Sequence, residues 1–191
     1  MIYIVSGYRR SGTSMMAYAL RAGGLQCFMS PRMENLNIEH KGYAPNPSGL
    51  SEVGQSKYMK AEFLRLIPDG CLVKILFDGL PCLPSGEYKI IFMTRKESSI
   101  NRSIDRLEKH MVELRFHRPL ENHYPFDVFR PYDQENIDHV LGICEQRNDI
   151  ELIKVSFEDV VKEPNKFFES LNFPIDADKA SATVNSQQVR Y

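Results

Sequence analysis

The segment Ile4-Val5-Ser6-Gly7-Tyr8-Arg9-Arg10-Ser11-Gly12-Thr13-Ser14-Met15-Met16 passes from a short β-branched run through a glycine-bounded turn into a helical pattern. Ile2–Val5 is continuous and apolar, as a strand covered on both faces requires. Gly7 and Gly12 let the backbone turn closely around a ligand. Ser11 to Ser14 offer capping hydroxyls to the helix that Met15–Leu20 continues. Backbone N–H groups at such a helix start, with the dipole behind them, favour a phosphate or sulfonate. The segment therefore predicts a strand Ile2–Ser6, a helix Thr13–Ala22 and an anion site between them.

The spacing matches the nucleotide-binding loop G-x-x-x-x-G-K-[ST], except that Thr13 stands where that motif has lysine. This argues against an ordinary nucleotide kinase. Downstream, Gln26–Met29 is a short apolar run, and Pro31–Gly54 is polar and rich in turn residues, as lids and substrate loops are. Ser56–Leu66 reads as a helix with Tyr58, Met59, Phe63 and Leu66 on one face, ended by Pro68-Asp69-Gly70. Cys71–Phe77 and Tyr88–Thr94 read as central parallel strands. After Arg95, the apolar positions Ile100, Ile104, Leu107, Met111 and Leu114 keep helical spacing, with Arg102, Arg106 and Lys109 on the opposite face. Residues 115–132 mix Pro, Phe, Tyr, His and Arg without a period and read as an aromatic and basic lid or acceptor loop. Asn136–Arg147 is a helix by Ile137, Val140, Leu141 and Cys144, Glu151–Ser156 a strand, and Asn165–Leu171 a helix following Pro164. Strands alternating with helices predict an α/β fold, a three-layer sandwich with a central parallel sheet, formed by residues 1–191 as a single domain.

Composition limits the function. With 42% hydrophobic and 26% charged residues among 191, the chain is long enough to bury a core without metal or disulfide staples. A formal net charge of −1 provides no global field for nucleic acid or a membrane surface, so an anion site must be local. Cys27, Cys71, Cys82 and Cys144 form no C-x-x-C pair and read as reduced, packed thiols. His110, His117, His123 and His139 lack metal-ligand pairing, and no metal site is expected. No apolar run reaches membrane length, and Met1–Val5 is too short for a signal sequence, which points to a cytoplasmic protein.

Gly7-Tyr-Arg-Arg-Ser-Gly-Thr-Ser14 resembles the loop of the sulfotransferase family, Tyr-Pro-(Lys/Arg)-Ser-Gly-Thr-(Thr/Ser), which holds the 5′-phosphosulfate of 3′-phosphoadenosine 5′-phosphosulfate (PAPS). On this resemblance Arg10 occupies the catalytic basic position, Arg9 replaces the usual proline, and Arg9, Arg10, Ser11, Gly12, Thr13 and Ser14 hold the cofactor. Ile90-Ile-Phe-Met-Thr-Arg-Lys-Glu-Ser-Ser-Ile-Asn-Arg-Ser103 is similar to the family segment in which a strand-end Arg and a Ser eight residues later bind the 3′-phosphate, here Arg95 and Ser103. Val155-Ser-Phe-Glu-Asp-Val-Val-Lys-Glu-Pro164 resembles the Tyr-Glu-Asp-Leu-x-x-(Asp/Glu)-Pro segment and reads as structural. Asn46-Pro-Ser-Gly-Leu-Ser-Glu52 looks like an Asn-Pro-x-Gly-(Tyr/Phe)-x-Glu segment of bacterial and phage-like members. In place of the late Arg-Lys-Gly segment of the cytosolic animal enzymes the chain offers Arg190.

The resemblance implies a P-loop NTPase-like sulfotransferase fold and sulfuryl transfer from PAPS, without an obligatory metal, to a hydroxyl or amine of a small-molecule, carbohydrate or lipid acceptor. Lys74 sits where many relatives carry a strand lysine. Leu76 occupies the position of the histidine base, so Glu34, His40 and Glu52 are the candidate bases. Two alternatives stay open: a catalytically silent PAPS- or nucleotide-binding module, and an atypical kinase in which Asp78 holds magnesium. Neither nucleic-acid binding nor a membrane span is expected.

Overall fold

The computed structural model describes residues 1–28, 64–106 and 132–184. Four strands, β1 (Ile2–Gly7), β2 (Leu72–Lys74), β3 (Tyr88–Thr94) and β4 (Ile150–Ser156), form an all-parallel sheet in the order β2-β1-β3-β4. Successive side chains of a strand point to opposite faces, and both faces here are covered. Ile4, Ile90 and Phe92 enter one core, packed by α2 (residues 97–106), α3 (Gln134–Glu145) and the 3-10 helix Phe77–Cys82. Val5, Ile91 and Met93 enter a second core with α1 (Thr13–Ala22), α4 (Phe157–Lys162), α5 (Pro164–Ser170) and α6 (Ala177–Ala182). The chain is thus an α/β three-layer sandwich. Each large apolar side chain so buried contributes about 1.5–3 kcal/mol.

The register fixes which ends meet. Val5 pairs with Lys74 and Ile91, Gly7 with Met93, and Thr94 with Ser156. All four carboxyl ends therefore lie along one edge, the place where open parallel sheets bind ligands. At the opposite end, Arg147 ties two turns together. Its Nε and Nη2 donate to the two Asp149 carboxylate oxygens (2.9 and 2.7 Å), and Nη1 and Nη2 donate to the carbonyls of Leu83 and Pro84 (2.7 and 2.8 Å). The Gly86 N–H donates to Asp149 as well.

The Arg147 hydrogen bonds, helped by the Gly86 N–H, hold the Asp149 carboxyl well below the ordinary carboxylate range. A depressed folded-state pKa adds stability that is present above the unfolded value, about 3.9, and is lost as pH falls below it. Asp149→Asn is expected to be less stable at neutral pH and to show a flatter acid limb between about pH 5 and 2. Denaturant midpoints across that range check it, and parallel limbs for the two proteins would refute the clamp.

Several boundaries differ from expectation. Cys71–Phe77 does not form a central strand: β2 covers only Leu72–Lys74 and pairs with β1 alone among the strands, with Cys27 bridging to Leu72 on its outer side. The ladder ends after the Ile75 N–H bonds to Val5 O. Phe77 and Leu80 then turn inward on the 3-10 helix, whose Pro81 has no N–H for a ladder. Leu66 is 68% exposed, and Leu64 and Ile67 are buried in its place. Asn136–Arg147 is realised as Gln134–Glu145, with Ile137, Val140, Leu141 and Cys144 buried as expected, and Asp133 caps it by accepting from Asn136 N–H. All four cysteines are free, yet Cys82 is exposed rather than packed. The Pro31–Gly54 stretch, most of Ser56–Leu66, the helix beyond 106 and residues 115–131 lie outside the described residues. Among the described residues no helix is long and apolar enough to cross a membrane.

Candidate functional site

The turn after β1 is shaped by backbone that only certain residues adopt. Gly7 has φ +148°, Arg10 +66° and Gly12 +101°. A Cβ at Gly7 would lie 2.5 Å from Met93 O and 2.6 Å from Ser11 Oγ; one at Gly12 would lie 2.4 Å from the Phe157 ring. Both glycines are therefore required by contact as well as by conformation. Gly12 itself is the N-cap of α1, left-handed and without a side-chain cap bond, which corrects the expectation that Ser11 to Ser14 cap the helix. The first intrahelical bond runs from Met16 N–H to Gly12 O, so the helix itself does not consume the N–H groups of its first turn. The Ser11 N–H donates to Tyr8 O (3.2 Å) and closes the turn.

Cations from three strand ends meet this turn. Arg95, just past β3, donates from Nη1 to Arg10 O (3.0 Å), and Arg10 Nε donates to Ser103 Oγ (2.9 Å) on α2. Ser103 is 1% exposed. Lys74, at the end of β2 and 5% exposed, donates from Nζ to Ser14 Oγ (2.8 Å). It is thus not a lysine at a partly exposed strand end but a buried cation directed at the first turn of α1. Burial pulls the Arg95 guanidinium below its ordinary value, and the charges of Arg10 and Arg102 pull the same way against the opposing pull of Glu158. An arginine stays charged regardless, and Arg10, Arg95 and Lys74 together concentrate positive charge at the turn. That charge density, beside the first-turn N–H groups that the helix does not consume, fits a phosphate or sulfonate ester.

Two contributors escaped the sequence reading. The Arg95 guanidinium stacks on Phe157 at 4.3 Å from the ring centroid, the geometry of a cation–π pair. Phe157 thereby wedges between Gly12 and Arg95. Glu158 accepts from the Lys96 N–H (3.3 Å) and from Ser156 Oγ (3.3 Å), fixing the backbone just after Arg95. The segment read as structural thus reaches the site.

Arg10, Ser11, Gly12, Thr13, Ser14, Lys74, Arg95 and Ser103 come together here, with Arg9 half-buried beside Tyr8. Glu34, His40, Glu52 and Arg190 lie outside the described residues. Asp78 stands on the 3-10 helix and not at a strand end. Among the described residues no three His, Cys, Asp or Glu side chains gather as a metal-ligand group.

No protein-family model matches the chain, and no curated protein matches it. Among solved structures it is similar to retinol dehydratase in complex with androsterone and the inactive cofactor PAP, at 15% identity and a TM-score of 0.49. That alignment covers 98% of this chain and 64% of the other, so the chain spans less than two thirds of that protein's length. It is also similar to an unliganded sugar kinase from Janibacter sp. HTCC2649, at 12% identity and a TM-score of 0.34, covering 96% and 98% of the two chains. At these values neither likeness carries a functional argument, and function is argued from the residues.

Proposed function

We propose that the chain transfers a sulfuryl group from PAPS to a hydroxyl or amine of an acceptor, on a P-loop-like sulfotransferase fold. The observation that supports this most is the junction of Arg10, Arg95 and Ser103. Sequence resemblance assigns these residues to opposite ends of one cofactor, and they lie within hydrogen-bonding distance of one another although 85 and 93 positions separate them along the chain.

PAPS supplies the sulfuryl group on its 5′-phosphate. The α1 start and Arg10 stabilise the negative charge that develops as an acceptor oxygen or nitrogen bonds to sulfur and the bridging S–O bond breaks, its electron pair remaining with the phosphate. The acceptor's proton passes to a base, for which Glu34, His40 and Glu52 are the candidates. Lys74, held by Ser14, adds a cation on the leaving-phosphate side. Arg95 and Ser103 grip the 3′-phosphate, the guanidinium offering paired donors. In the kinase alternative magnesium would be held by a carboxylate at a strand end, and Asp78 does not occupy one.

Calorimetric titration with 3′,5′-diphosphoadenosine tests the assignment. Ser103→Ala is expected to weaken binding about tenfold or more, the scale of one hydrogen bond to a charged group. Unchanged affinity would contradict the 3′-phosphate role.

A further inference from the structure

We propose that Phe157 is a positioning residue for recognition of the 3′-phosphate: its ring holds the Arg95 guanidinium at the place from which it grips that group. The inference rests on the proposed use of PAPS. It assigns part of the cofactor's selectivity to a side chain that bears no charge.

The corner where β4 passes into α4 meets the end of β3 residue by residue. Thr94 Oγ1 donates to Val155 O (3.1 Å), the Arg95 guanidinium carbon lies 4.3 Å from the centre of the Phe157 ring, and the Lys96 N–H donates to Glu158 (3.3 Å). The two hydrogen bonds tie the chain to the corner on either side of Arg95. The long side chain between them is placed by its own contacts. One is the bond from Nη1 to Arg10 O (3.0 Å), which fixes one point of a planar group and lets the plane turn about it. The Phe157 ring restricts that turn.

Phe157 is itself held. It is buried in the second core with Val160 and Phe168, and its Cδ2 edge lies so near Gly12 that a Cβ there would stand 2.4 Å away. The backbone that carries the ring is fixed by Ser156, whose Oγ accepts from the Asp159 N–H and donates to Glu158 (both 3.3 Å). The ring thus touches the glycine turn and Arg95 at once, and through it the two ends of the proposed cofactor site keep a set spacing.

An aliphatic side chain would fill the same core but would offer no negative face to the guanidinium. A cation held by such a face in a partly desolvated place is ordered before the ligand arrives, so less side-chain freedom is lost on binding. The benefit falls on the group that Arg95 meets, the 3′-phosphate. The 5′-phosphate, at the start of α1, draws on other donors.

Calorimetric titration of the full chain with 3′,5′-diphosphoadenosine and with 5′-AMP reads this role, since only the first carries the 3′-phosphate. Mono-, di- and trifluorinated phenylalanine at position 157 keep the apolar ring while withdrawing its negative face. Affinity for the diphosphate is expected to fall stepwise along that series, reaching a loss of about three- to thirtyfold, with 5′-AMP affinity within about twofold of wild type. Phe157→Leu should show the same selective loss. Equal losses for the two nucleotides, or diphosphate affinity indifferent to fluorination, would overturn the inference alone and reduce the ring to core packing. A wild-type chain that does not bind the diphosphate would overturn the PAPS reading and this inference with it.

Discussion

Gly12→Ala is expected to lose about 2–6 kcal/mol of folding stability and the anion response with it. At φ +101° a side chain is strained by about 1–3 kcal/mol. The new methyl would also stand 2.4 Å from the Phe157 ring, an overlap whose relief adds about 1–3 kcal/mol. Phe157 cannot retreat cheaply, because it is buried and the Arg95 guanidinium rests on its ring. Moving the ring would displace Arg95 from the Arg10 carbonyl. Gly24→Ala is the internal control: its φ is +116°, but nothing lies within 4 Å of the added carbon. Urea denaturation should therefore show a much larger loss for Gly12→Ala than for Gly24→Ala. Equal losses would mean that conformation alone, and not the contact with Phe157, makes Gly12 necessary.

Arg10→Ala is expected to lower turnover by at least about a hundredfold, the scale of removing one donor aimed at charge that develops in the transition state. The substitution leaves the positive φ of residue 10 as it was, since alanine bears the same backbone strain that arginine does there. Stability should change little beyond the loss of the Nε bond to Ser103. The effect should fall on kcat more than on KM, because a group that acts on developing charge adds less to ground-state binding. Release of 3′,5′-diphosphoadenosine from PAPS, measured with a saturating acceptor, gives both constants. A change in kcat of less than about threefold would remove Arg10 from the catalytic role.

The glycine turn and its helix were legible because the apolar run, the two glycines and the helical period agreed with the fold, although the capping hydroxyls expected at Ser11 to Ser14 make no cap bond. β-branched residues preceded Gly7, and Thr13–Ala22 emerged with the expected bounds. The meeting of Arg95 and Ser103 with Arg10 was legible only through resemblance, since no local pattern reports a contact across 93 positions.

Elsewhere tertiary packing prevailed. Phe77 and Leu80 left the strand pattern for the core beneath α3. The buried face at 64–67 shifted by one position from Leu66, and a helix stripe read near its own terminus cannot show that. Helix Ala177–Ala182 was missed because it is short and polar. Its signal was Asp176, whose carboxylate accepts from the Lys179 N–H. Phe157 escaped because a ring that serves a neighbour's guanidinium looks, in sequence, like any apolar residue after a strand.

The most direct measurement is thermal unfolding with 3′,5′-diphosphoadenosine, in parallel with ATP and Mg²⁺, for the wild-type chain and Arg95→Ala. A rise of a few degrees, on the order of that expected for a ligand well above its Kd, should occur with the diphosphate in the wild-type chain and vanish in the variant. A rise with ATP and Mg²⁺ alone would contradict the account and favour a kinase.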